Sequence, residues 1–445
     1  MKRAQQLCGL LFAASAVLVN ATPNIPPPPQ REPIMITNAV LHTVSGPVIN
    51  SGRMLIENGK IVAIGDAASV PDKPGAKVIS LGGKRVYPGL IVANSSLGLV
   101  EVQAVRASVD TTEAGALNPN ARALVAVNPD SELLPVARAN GVLAALTVPR
   151  ASPTGLIAGT SALIQLDGWT WEDMGLIPEV GLHVTLPTMR FNPSLFPTLI
   201  QARLDEMQRL TTQRLKTLDD ALEAAAAYAK ARAADANTPL DTRWEAMRPV
   251  ISGQRPMFVR ADELPQIRYA LALAERYNLK LVIIGGMDSW RIADLLRERQ
   301  VPVIIAGIQR LPMRRGDDVD SVYRLAGQLA KAGVKFAIAR DGSEFAAATD
   351  RTLPYEAAAA AAHGLAREEA LKAITLYPAQ ILGAADKLGS LETGKLASFF
   401  VADGDPLDIR TQVERIFIQG REIELSDRQT KLNEKYQQKY RQLTK

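Results

Sequence analysis

Histidine and cysteine are the scarce residues of this 445-residue chain, with three of the first and one of the second. A single cysteine excludes an intrachain disulfide framework and any cysteine-built zinc or iron–sulfur centre. Three histidines leave little imidazole for metal chemistry. Glycine (31) and proline (28) are near average usage, which excludes collagen-like and low-complexity chains. Neither sign of charge dominates: 51 basic against 46 acidic residues give +5. The basic residues are scattered, apart from a modest excess in the last 19, so nucleic acid is not an expected partner. With 47% apolar and 22% charged residues the composition is that of a globular protein. The length suits two or three domains, or one large barrel with a small companion.

No long apolar run opens the chain either. Residues 7–19 are apolar but too few to span a bilayer as a helix. Lys2 and Arg3 precede them and Val19-Asn20-Ala21 follows, a pattern that reads as a secretory signal peptide over 1–21. Its removal takes Cys8 away and lowers the net charge by two, to +3. Residues 22–33, rich in proline, read as an extended spacer. The expectation is a bacterial periplasmic or secreted protein with no membrane contact after cleavage.

Residues 34–80 alternate apolar and polar side chains between turn residues, and Asn58-Gly59 is a hairpin signal. From about residue 257 short apolar strands recur every 20 to 35 residues with amphipathic helices between them. That rhythm predicts a parallel sheet, doubly wound or closed into a barrel. Further strand candidates are "GVLAALTVP" and "TSALIQLDG", and residues 217–236 form an Ala-rich helix. Strands return in "LASFFVADGD" and "VERIFIQGREI", so β material flanks a βα core at both ends. Residues 427–445 are charged and helix-prone, the pattern of a solvated terminal helix.

The segments "NGKIVAIG", "VYPGLIVANSSLGL" and "ALKAITLYPAQILGAADKLGSLETGKLASFFVADGDPL" resemble the amidohydrolase superfamily, in its imidazolonepropionase-like and Xaa-Pro-dipeptidase-like branch. The most specific stretch carries Thr375, Pro378, Ala379, Gly389, Ser390, Leu391, Gly394, Lys395, Asp403, Asp405 and Pro406. The resemblance implies an α/β fold: a (β/α)8 TIM-like barrel over 88–384, with a small composite β-sandwich from 34–87 and 385–425 and a tail helix over 426–445. It places the site at the C-terminal ends of the barrel strands.

Active members of that superfamily hold one or two divalent metals, commonly zinc, which acidify a water for attack on a C–N-bonded carbon. The resemblance puts the first two ligands in a His-x-His after Pro-Gly-Leu-Ile. Here those positions are Asn94 and Ser96, and Val92 replaces the usual Asp. The next ligand position is Arg260, a fixed cation, and the following one is Gly285, in a Gly-Gly where His-Gly is usual. Only the last is matched, by Asp341, which in active members binds metal and shuttles the proton. Amide and hydroxyl are poor zinc ligands beside imidazole.

A family-type zinc site is therefore not expected, and no cofactor is. An oxygen-rich site from Asn94, Ser96, Asp262 and Asp341 is the weaker alternative. His42 and His363 read as packing or surface residues, and His183 as a residue that could face the barrel mouth. Trp169 and Trp171 read as core or rim contacts rather than pocket walls. Three functional expectations follow. The first is a degenerate amidohydrolase whose mouth binds a small molecule or a partner. The second is a divergent hydrolase of C–N bonds with Asp341 as general base and Arg260 stabilising an oxyanion. The third is a non-catalytic subunit of an intact amidohydrolase paralogue, or a homo-oligomer.

Overall fold

The computed structural model describes residues 25–190 and 201–443. The signal-peptide reading over 1–21 lies outside the described residues. From residue 25 the spacer runs along the first sheet: the Gln30 amide donates to Ile56 O (2.8 Å) and its oxygen accepts from Gly59 N (2.8 Å).

Strands β1 (Ile34–His42), β2 (Val48–Glu57), β3 (Lys60–Gly65), β4 (Lys77–Ser80) and β5 (Arg85–Pro88) come first. Asn58 and Gly59, both at positive φ, make the β2–β3 turn, as that dipeptide predicts. Eight further strands form the barrel sheet: β6 (Leu90–Ser95), β7 (Val142–Thr147), β8 (Ile157–Gln165), β9 (Gly175–Thr185), β10 (Met257–Ala261), β11 (Leu281–Gly285), β12 (Val303–Ala306) and β13 (Phe336–Ala339). The chain then returns to the first sheet as β14 (Phe399–Ala402), β15 (Val413–Ile418) and β16 (Arg421–Ile423). That sheet is ordered β16-β15-β14-β5-β1-β2-β3, with β4 also pairing β1, so both chain ends build it.

Alternation along the strands sorts side chains into two layers. Ile91, Ala93, Ala144, Leu146, Phe258, Ile284 and Ile304 belong to a cluster filling the barrel. Val92, Val142, Leu182, Val184, Val259, Ile283 and Ile305 belong to the layer beneath the helices. β5 and β14 serve both domains: Val86 and Phe399 enter the small sheet's core, while Tyr87 and Phe400 join the outer barrel layer.

The alternation of strand and helix is broken at one place. β8 runs antiparallel to both neighbours. The links before and after it, 148–156 and 166–174, are nine residues each. A parallel crossover needs a dozen or more, so these links allow only a reversal of direction. At the seam β6 and β13 are joined through the 373–375 turn: Ile91 N donates to Ile374 O and Ile338 N to Ala373 O, both at 2.9 Å.

The Ala-rich helix is longer than its sequence suggests, Gln201–Ala234, and buries Leu218, Ala221, Leu222 and Ala225. The terminal helix Arg428–Leu443 buries no residue, as a solvated helix should. Among the described residues no helix is long and apolar enough to cross a membrane.

Candidate functional site at the barrel mouth

The C-terminal ends of β6, β10 and β13 bring four of the five ligand positions together. Asn94, at the end of β6, is buried, and its Nδ2 donates to Arg340 O (3.0 Å). Ser96 Oγ donates to Gly342 O (2.7 Å). Arg260 Nη2, from β10, donates to Asp341 O (2.8 Å). All three grip one loop, 340–342, which carries Asp341. Arg150, from the loop after β7, joins them by donating to Gly342 O (2.7 Å). Gly342 is at φ +70, and a Cβ there would lie 2.5 Å from Asn94 Nδ2, so the loop can approach the amide only as glycine.

Gly285, the fifth position, closes against Asp262 instead. A Cβ at Gly285 would lie 2.5 Å from Asp262 Oδ1, and the residue sits at φ +101. The volume a side chain would need there is taken by the Asp262 carboxyl. Asp262 Oδ1 is itself buried with no hydrogen-bond partner.

Asp341 is exposed, with Oδ1 accepting from Ser343 N (2.8 Å). Burial raises its pKa. The bonds from Ser343 and the charges of Arg260 and Arg150 outweigh that, and the carboxyl is held below its ordinary value. Asp341 makes no ion pair with its neighbour Arg340. Arg340 turns away to an ion pair with buried Glu356, whose other oxygen accepts from Ile308 N (2.6 Å) and Gln309 N (2.9 Å). Satisfying two backbone N–H groups and a guanidinium at once makes Glu356 the better partner.

Two of the three histidines, His42 and His363, stand apart from this cluster. His42 stacks on Tyr87 at 4.3 Å, and His363 Nδ1 contacts Ala359 O (2.8 Å) at a helix end. His183 lies inside the barrel one layer below Arg260, stacked face to face on Phe258 at 4.7 Å. Burial, and then the charge of Arg260, bring its pKa down to about 3, so it is a neutral imidazole, and its Nε2 has no partner. Trp171 packs against the core, while exposed Trp169 borders a 440 Å³ cavity with Gln419 and Arg421. A separate 880 Å³ cavity opens at the opposite end of the barrel, between Glu179, Lys280 and Lys335, and holds none of these residues.

Sequence reasoning passed over three groups here. Arg150 and Arg310 lie in loops with no motif around them, and Arg310 donates to Ala306 O (3.2 Å) at the end of β12. The third is Asp350, fully buried and hydrogen-bonded by Ser95 Oγ. Burial pushes Asp350 up to about 8, against the bond from Ser95 and the charge of Arg340. A buried acid nine residues beyond Asp341 leaves no periodic signal.

The donor set does not fit a divalent cation. Asn94 and Ser96 direct their hydrogens at carbonyls, Gly285 offers no atom, and Arg260 presents a cation. Among the described residues no three His, Cys, Asp or Glu side chains are grouped to hold a metal.

The amidohydrolase family model matches residues 292–430. Among solved structures, an amidohydrolase from Thermotoga maritima MSB8 is similar at 25% identity with a TM-score of 0.77, over 88% of this chain and 99% of that one. An adenosine deaminase from Xanthomonas campestris with bound zinc shares the fold at 17% identity and a TM-score of 0.52, over 94% of this chain and 100% of that one. A Xaa-Pro dipeptidase with bound methionine does so at 14% and 0.53, over 88% of this chain and 100% of that one. No curated protein matches the chain significantly. Barrel and companion sheet together define a TIM-like amidohydrolase fold. The chain belongs to the amidohydrolase superfamily.

Proposed function

We propose that this chain is an exported amidohydrolase-superfamily protein that has lost metal-dependent hydrolysis and uses its barrel mouth to bind a small molecule or a partner. One observation carries the reading: Asn94, Ser96 and Arg260 spend hydrogen bonds on the backbone around Asp341, so former ligand positions hold a loop in place. A metal would need those atoms as lone-pair donors turned to a common point. The test is a panel of cyclic amides, lactones and dipeptides, assayed with added zinc and with chelator. The expected result is no zinc-stimulated, chelator-sensitive rate. Such a rate, with stoichiometric metal, overturns the reading.

The alternative hydrolase is favoured by one feature, an exposed and ionised Asp341 beside Arg260. Asp341 would take the proton of the attacking water and Arg260 would stabilise the developing oxyanion. Any metal-independent rate that Asp341→Ala leaves unchanged excludes it. Export belongs to the same proposal, and its support is the basic and apolar N-terminal pattern. Mass spectrometry of the exported protein should find a chain beginning after Ala21, and an intact Met1 contradicts export by cleavage.

A further inference from the structure

Three guanidinium groups surround the mouth, from loops and strands far apart in sequence. Arg150, Arg260 and Arg310 are each half-buried, and each gives a hydrogen bond to a backbone carbonyl. A guanidinium has five N–H donors, so most of theirs remain uncommitted. None of the three makes an ion pair with a carboxylate among the described residues. Arg150 and Arg310 both press on the charge of Arg260, which only Asp262 and Asp341 relieve. Around Arg260 itself, two further guanidinium groups face two carboxylates.

Two further polar atoms nearby are buried without partners: Asp262 Oδ1, beside Gly285, and Nε2 of the neutral His183, one layer below Arg260. The cluster thus combines uncommitted guanidinium donors with two buried, unpartnered polar atoms.

We infer that the barrel mouth binds a small-molecule oxyanion, a carboxylate or a phosphate ester, held between the guanidinium groups of Arg150 and Arg260. The inference rests on the reading of a mouth without metal. Guanidinium forks match both oxyanions in geometry, and such charge-assisted bonds are the strong ones. Arg310 adds field rather than contact. His183, uncharged and fixed by its stacking on Phe258, offers its unpartnered Nε2 for a hydrogen bond to another polar group of the ligand.

The test is calorimetric titration of the mature, chelator-treated protein with inorganic phosphate and, separately, with succinate. The two arms distinguish phosphate from carboxylate. Saturable binding of at least one is expected, weakened about 10- to 100-fold in Arg260→Gln and in Arg150→Gln, the range for losing a hydrogen bond to a charged group. Thermal melts show which variants fold, and should Arg260→Gln fail to fold, Arg150→Gln decides. Absence of saturable binding in both arms overturns the inference, as does a folded variant that binds as tightly as the parent. Elemental analysis of the same sample separates the two claims. Stoichiometric metal surviving chelation, with anion bound to it, defeats the metal-loss reading; metal-free protein that ignores both anions defeats only the anion site.

Discussion

Gly285 and Asp262 share one volume, and that limits what a single substitution can restore at the mouth. An imidazole at 285 would collide with the Asp262 carboxyl and would sit at a φ that side chains rarely adopt. Gly285→His is therefore expected to lower stability by about 2 kcal/mol or more, from strain and collision together, and to leave metal content unchanged. Denaturant unfolding and elemental analysis check the two halves. Asp350 makes a prediction about pH. Its pKa is raised in the folded state, so between about pH 4 and 8 the native protein binds a proton that the unfolded chain releases. Stability from this group is present at low pH and is lost as pH rises through about 8. Asp350→Asn keeps a neutral partner for Ser95 and removes that loss. Its unfolding free energy, relative to the parent, should rise by at least about 1 kcal/mol between pH 6 and 9. A difference that stays flat across that range contradicts the assignment.

At the scale of elements, the seam depends on one tight turn. Residues 373–375 bridge β6 and β13, and Gly389 packs directly on them at φ +90. A Cβ at Gly389 would lie 2.7 Å from Ala379 Cβ and 2.9 Å from Thr375 O, neither of which is a flexible side-chain end. Gly389→Ala should thus cost about 2–3 kcal/mol in unfolding free energy. The same elements explain what was legible beforehand. Asn58-Gly59 specifies its turn through local backbone freedom, and the amphipathic helices write their buried stripe into a few residues. The reversal of β8 was not legible, because its apolar run reads the same in either direction and only the length of its links decides. The mouth was half legible. The family resemblance pointed to Asn94, Ser96, Arg260, Gly285 and Asp341. Arg150 and Arg310 are placed by loops, and the Arg340–Glu356 pair by tertiary contact, so neither leaves a sequence pattern.

For the whole molecule, barrel and companion sheet are joined by a buried charge cluster. Asp167, after β8, meets Arg421 of β16 at 2.8 Å and Arg138 at 3.9 Å, with Gln165 accepting from Gln419 (2.7 Å) beside it. Removing one partner strands a buried charge, which costs about 3–5 kcal/mol. Arg421→Ala should lower the unfolding midpoint accordingly, while replacement of exposed Arg410 should not. The two domains share β5 and β14 as a wall, with side chains of each strand entering both cores.

The central claim, that those positions now hold the Asp341 loop and bind no catalytic metal, is tested most directly by counting metal atoms per chain. Mature protein dialysed against excess zinc and then against metal-free buffer should retain well below one zinc per chain. Retention of one or two zinc ions per chain would contradict the account.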